Sequence, residues 1–153
     1  TVCFYVYGRA DIIVDINGNF ESQLGYSPIA PNRIADTRSV MGGIAAQPIG
    51  NTAGTGAPLE VSVAGTSGIP LSGVTAVSLN VTAIGISSSS YGGYLTVYPC
   101  DTRPNASNLN FVAGQTVPNA VIAPVSSRGT VCFYVYGIAH IVVDANGYIS
   151  NIT

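Results

Sequence analysis

Side chains able to do chemistry are few and scattered in this chain. Hydrolysis by a side-chain nucleophile needs a base beside it and an acid to orient the base, and the only histidine is His140. A second copy of the segment around it carries Asp11 at the matching place, so a catalytic base would exist in one copy and not the other. His140 is expected to be a partly exposed strand residue, with no catalytic residue, no cofactor and no enzyme activity. Asp36 and Arg38 stand two apart, on one face of a strand; a structural ion pair or turn anchor is expected ahead of a ligand clamp. Asp15, Asn17 and Asn19 alternate like calcium oxygens, but the copy at Asp144, Asn146 and Tyr148 loses the last ligand. Neither has the bidentate glutamate that closes such a loop, so no metal is expected. Cys3, Cys100 and Cys132 form no C-x-x-C pair or Cys/His cluster of the kind that binds zinc. Nine tyrosines without tryptophan suit stacking on sugars. Yet Tyr5, Tyr7, Tyr134 and Tyr136 alternate with core-type residues, which favours paving of an outer sheet face or a contact between repeats. Sequons at Asn80, Asn105 and Asn151, and the serine run 87–90, are candidate glycosylation sites.

The elements that position these residues follow from a duplication. TVCFYVYG occurs at 1–8 and again at 130–137, and segments 1–20 and 130–149 agree at 14 of 20 positions with a constant offset of 129 residues. A period of that length fits tandem copies of a whole domain; the alternative is one domain with two similar hairpins. The expected organisation is therefore 1–20, the C-terminal strands of a preceding repeat or a donor segment; 21–32, a proline-containing linker; and 33–153, one complete repeat. Cys3 is then the counterpart of Cys132. Cys100 is expected to bond Cys132, and Cys3 to bond a preceding repeat, in an oxidising, extracytoplasmic setting. Three reduced thiols are the alternative.

Alternation with period two marks the strands. Val2, Phe4 and Val6 alternate with Cys3, Tyr5 and Tyr7. Asn17-Gly18 and its copy Asn146-Gly147 read as hairpin turns. Residues 33–43 read as a short strand and a glycine turn, followed by strands at 59–63, 74–84, 93–100 and 109–111. Segment 117–125 is demoted toward an edge or bulge by Pro118 and Pro124, and 130–149 closes the unit. Nine or ten short strands without helical periodicity predict an all-β antiparallel sandwich, jelly-roll or Greek-key-like, with no substantial helix.

Composition narrows the partners. The chain is 47% hydrophobic and 8% charged, with a net charge of −2 and no lysine, so it offers no basic track for nucleic acid. No apolar run approaches the roughly 20 residues that span a bilayer. The sequence carries no signal-peptide pattern; if the protein is exported, that segment is expected upstream, removed or not included. Edge strands are commonly guarded by lysine and other charges, and here that guard is missing, so self-association is expected to cover them.

The series RIADTR (33–38), LNVTA (79–83), GYLTVYPC (93–100), SNLNF (107–111), AGQTVPNAV (113–121), VCFYVYG and VDANGY (143–148) resembles a repeat domain of secreted and cell-surface proteins of actinobacteria. The resemblance covers nearly all of 33–149 in order, and residues 2–20 match its last part again. It implies an extracellular or cell-surface structural role and carries over no catalytic residue. The expected function is a structural repeat forming a fibre, stalk or filament, with Val2, Phe4, Val6, Ile12 and Val14 at the repeat-to-repeat interface. The alternative is an adhesin or carbohydrate-binding module that uses Tyr94 and Tyr98 on surface glycans.

Overall fold

The computed structural model describes residues 1–9, 11, 25–90 and 92–151. Eight strands follow one another: β1 (Tyr26–Asp36), β2 (Leu59–Ser62), β3 (Val74–Ser87), β4 (Gly93–Tyr98), β5 (Leu109–Phe111), β6 (Thr116–Pro124), β7 (Thr130–Tyr136) and β8 (Ile138–Ser150). They form two four-stranded antiparallel sheets, ordered β1-β8-β3-β6 and β2-β7-β4-β5. The pairs β1/β8, β2/β7, β3/β6 and β4/β5 are all neighbours, so the chain is folded in half and then wrapped into two layers. That is the double-sheet jelly roll, and no helix occurs among the described residues.

The alternating strands supply the core. Val77, Leu79, Val81 and Ala83 of β3 and Ile141, Val143 and Ala145 of β8 face Leu95 and Val97 of β4 and Val131, Phe133 and Val135 of β7. Phe111 is held close because glycines leave room for it. A Cβ at Gly93 would come within 2.6 Å of its ring, and one at Gly85 within 2.7 Å. Its partner in position is Gly137, which joins β7 to β8 at φ +93° and carries the chain from one sheet to the other.

Three expectations change. Residues 26–32 are the first half of β1 rather than linker; β1 is an edge strand, and its register shifts between Pro28 and Asn32, where a proline needs no ladder partner. Asn146-Gly147 is not a hairpin turn but lies inside β8. Ser78 pairs with Gly147 and Leu79 with Ala145, so Asn146 is the extra residue of a β-bulge. Gly147 is needed because the Tyr26 ring lies where its Cβ would be. Finally, the sheet edges are guarded, without lysine. β1 carries Pro28 and Pro31, and β6 carries Pro118 and Pro124. The other two edges, β2 and β5, are only 4 and 3 residues long. Proline and shortness are recognised substitutes for charge at an edge.

Residues 1–9 form no strand, although their sequence alternates. Apart from Asp11, the remainder of the expected first meander, with Ile12, Val14, Asp15, Asn17 and Asn19, lies outside the described residues, as does the expected linker start at 21–24.

Candidate assembly interface

The octapeptide TVCFYVYG occupies two different environments. At 130–137 it is β7 and the glycine after it, hydrogen-bonded on one side to β2 and on the other to β4. Val131, Phe133 and Val135 point into the core at 0%, 0% and 1% exposure, while their counterparts Val2, Phe4 and Val6 are 76%, 59% and 39% exposed. Tyr5 and Tyr7 are also exposed, whereas Tyr134 is buried. The same sequence is thus the centre of a sheet in one place and an uncovered apolar segment in the other.

The outer side of β7 is a second, smaller core. Cys132 is bonded to Cys100, with Cα atoms 4.9 Å apart, and packs with Tyr98 and Tyr134; Tyr94 and Tyr136 flank them. Tyr94 stacks on Tyr136 with ring centroids 5.3 Å apart and an interplanar angle of 14°. The loops after β1 and β4 close over this layer. Tyr134 donates its hydroxyl to the Gly54 carbonyl at 2.9 Å, and the Arg103 guanidinium sits 3.7 Å from the centre of its ring. Thr96 donates to the Ala106 carbonyl at 2.6 Å. Burial pushes the Tyr98 phenol up. Tyr94, Tyr98, Tyr134 and Tyr136 therefore pave an outer face that the protein's own loops cover. Cys3, the counterpart of Cys132, is a free and exposed thiol.

Asp36 and Arg38 form the structural pair the sequence suggests, and more. Arg38 donates through Nε to Oδ1 at 2.9 Å and through Nη2 to Oδ2 at 2.7 Å. Its backbone N–H also reaches Oδ1, at 3.0 Å. Arg33 adds a bond to Asp36 at 3.3 Å and grips both oxygens of Asp144. The Arg38 guanidinium, with that backbone N–H and the nearby Arg33, holds the buried Asp36 carboxyl far below the usual carboxylate range. Asp144, one of the calcium-like oxygens in the sequence, thus spends both oxygens on Arg33. His140 sits beside Thr37, with Nδ1 3.1 Å from Oγ1. Fully buried Thr37 accepts the Ile141 N–H at 2.9 Å and donates its own N–H to the Ile141 carbonyl at 3.0 Å. The turn after β1 is thereby stitched to β8.

Glu60 lies close to Cys100 and Cys132. The two sulfurs are bonded to each other, and Glu60 Oε1 accepts from Arg128 at 2.6 Å and Thr130 at 2.7 Å. These bonds lower the Glu60 carboxyl, and the trio is not a metal ligand set. Asn105 is exposed in the loop after β4, and Asn151 is exposed after β8. Asn80 is half-buried on central strand β3, between Ala120 and Asp144, a poor place for a glycan.

Sequence reasoning did not single out Arg33, Asp144 as its partner, or Thr37. The signal available was the run Arg33-x-x-Asp36-Thr37-Arg38, in which two cations flank one carboxylate. No protein-family model matches the chain, and neither curated proteins nor solved structures gave a match. No helix among the described residues is long and apolar enough to cross a membrane.

Proposed function

We propose that this chain is a unit of an extracellular structural repeat, which builds a cell-surface fibre, stalk or filament as β7-type strands pack into a neighbouring body of the same fold. The observation that carries the reading is the contrast between the two octapeptides. A sequence that is fully buried mid-sheet at 131–135 is displayed to solvent at 2–6. Burying Val2, Phe4 and Val6 against the surface of a neighbouring body would gain roughly 1.5–3 kcal/mol each. The guarded edges argue that assembly uses this apolar segment rather than edge-to-edge addition. The Cys100–Cys132 disulfide suits an oxidising compartment, and the resemblance to the actinobacterial repeat domain points the same way. Against the adhesin or carbohydrate-binding reading, Tyr98 is buried and Tyr94 is stacked on Tyr136, leaving little open ring face for a sugar.

Sizing and negative-stain imaging of native material test this. Regular filaments are expected, and removal of residues 1–20 from a single-unit chain should abolish them. A truncated chain that assembles as readily as the parent would sink the proposal.

A further inference from the structure

We infer that residues 1–8 are a second occupant of this chain's own β7 seat, and that Cys100 bonds Cys3 in place of Cys132 when they take it. The structure already shows this octapeptide seated there, since residues 130–137 have the same sequence. Val2, Phe4 and Val6 would stand for Val131, Phe133 and Val135, and Cys3 for Cys132. The hinge is also duplicated: Gly8 has φ +100° and Gly137 has φ +93°. Even outside a sheet, the first copy bends at the residue where β7 turns into β8.

Reach is sufficient. The end of β8 lies beside the start of β1, with the Ser150 N–H donating to the Gly25 carbonyl at 2.9 Å. The residue 129 positions before Ser150 is Glu21, and from there to Gly25 the chain needs only a connection of ordinary hairpin length. Residues 1–129 thus carry a sequence counterpart of every strand of the jelly roll in a permuted order, and residues 25–153 carry the strands in the order observed.

The covalent step balances without an oxidant. The Cys3 thiolate attacks Sγ of Cys100, which is less buried than Cys132; the Cys3–Cys100 bond forms as the Cys100–Cys132 bond breaks, and Cys132 leaves as a thiolate that takes up a proton. Occupancy is biased by one difference between the copies. Ala145 is fully buried, and the first copy has Ile16 there, which overfills a packed core. Residues 130–150 therefore hold the seat in the parent chain, and the first copy is the surplus pair.

The test is Phe133→Asp in the full chain, refolded oxidatively at low concentration. Its expected result is a monomer that keeps a cooperative unfolding transition and yields a Cys3–Cys100 peptide on non-reducing mapping. Phe4→Asp should keep Cys100–Cys132, and the double variant should be unfolded. A Phe133→Asp chain as unfolded as the double variant overturns the inference. So does a folded one with Cys100 free, or one in which Cys3–Cys100 joins two chains. The inference rests on the duplication and not on filament formation, so its failure would leave filaments of the parent chain unaffected, and loss of the filaments would not bear on it.

Discussion

Replacing Cys100 with serine removes the one cross-link of the domain, its bond to Cys132. The bond closes a segment with a sequence separation of 32 that contains β5 and β6. Freeing a loop of that length in the unfolded chain costs about 4 kcal/mol of stability in the chain-entropy account. Relief of local backbone strain works against it. Cys100 sits at φ +61°, a left-handed backbone that disfavours a side chain, and in the parent the bond to β7 holds it there. The loop 101–106 that places Arg103 over Tyr134 begins at this residue. For a domain of this size 1 kcal/mol moves Tm by about 2–4 °C, so Cys100→Ser should lower Tm by about 8–16 °C. Guanidinium and thermal denaturation of the parent and variant, followed by far-UV circular dichroism, would measure it. A loss below about 1 kcal/mol would refute the reasoning, because it would mean that the tyrosine layer and the core fix β4 against β7 without the bond.

Three further outcomes are expected. Asp36 has a lowered carboxyl pKa in the fold, so its stabilisation is present above the unfolded value of about 3.9 and is lost as pH falls through the folded value; Asp36→Asn should flatten the acid limb of a stability–pH curve, and an unchanged limb would contradict this. Thr37→Val leaves the Ile141 N–H without its 2.9 Å acceptor in a buried place, and should cost about 1–3 kcal/mol in urea denaturation, whereas Thr37→Ser should cost less. Gly147→Val drives a side chain into the Tyr26 ring and should lose about 1–3 kcal/mol, part of which Tyr26→Ala should restore; no rescue would show that the clash is not the cause.

Much of the sandwich was legible because period-two alternation is a local signal. Val77, Leu79, Val81 and Ala83 announce one face of β3, and the buried set matches them. Pro118 and Pro124 rightly mark β6 as an edge, and Cys100–Cys132 followed from matching the two copies. What failed depended on neighbours distant in sequence. Asn146-Gly147 has the composition of a turn, but Gly147 answers to the ring of Tyr26, over a hundred residues away. Pro28 and Pro31 read as linker because nothing local shows that β8 supplies a partner for an irregular edge. Tyr134 and Tyr136 were rightly read as paving, while Tyr5 and Tyr7 stand exposed and the loops that cover Tyr134 through Gly54 and Arg103 lie in segments without periodicity. The pairing of Arg33 with Asp144 spans the chain, so only the fold could reveal it.

The most direct test of the central claim is the assembly of the full chain carrying Phe4→Asp, compared with the parent by sedimentation and negative-stain imaging under oxidising conditions. Phe4 is 59% exposed, so the substitution should leave the domain's own unfolding transition within about 0.5 kcal/mol of the parent. Assembly through the first octapeptide predicts filaments from the parent and only single particles from the variant, since a carboxylate cannot be buried in the apolar contact that Phe4 would make. Filaments from Phe4→Asp at the parent's yield and spacing would contradict the account.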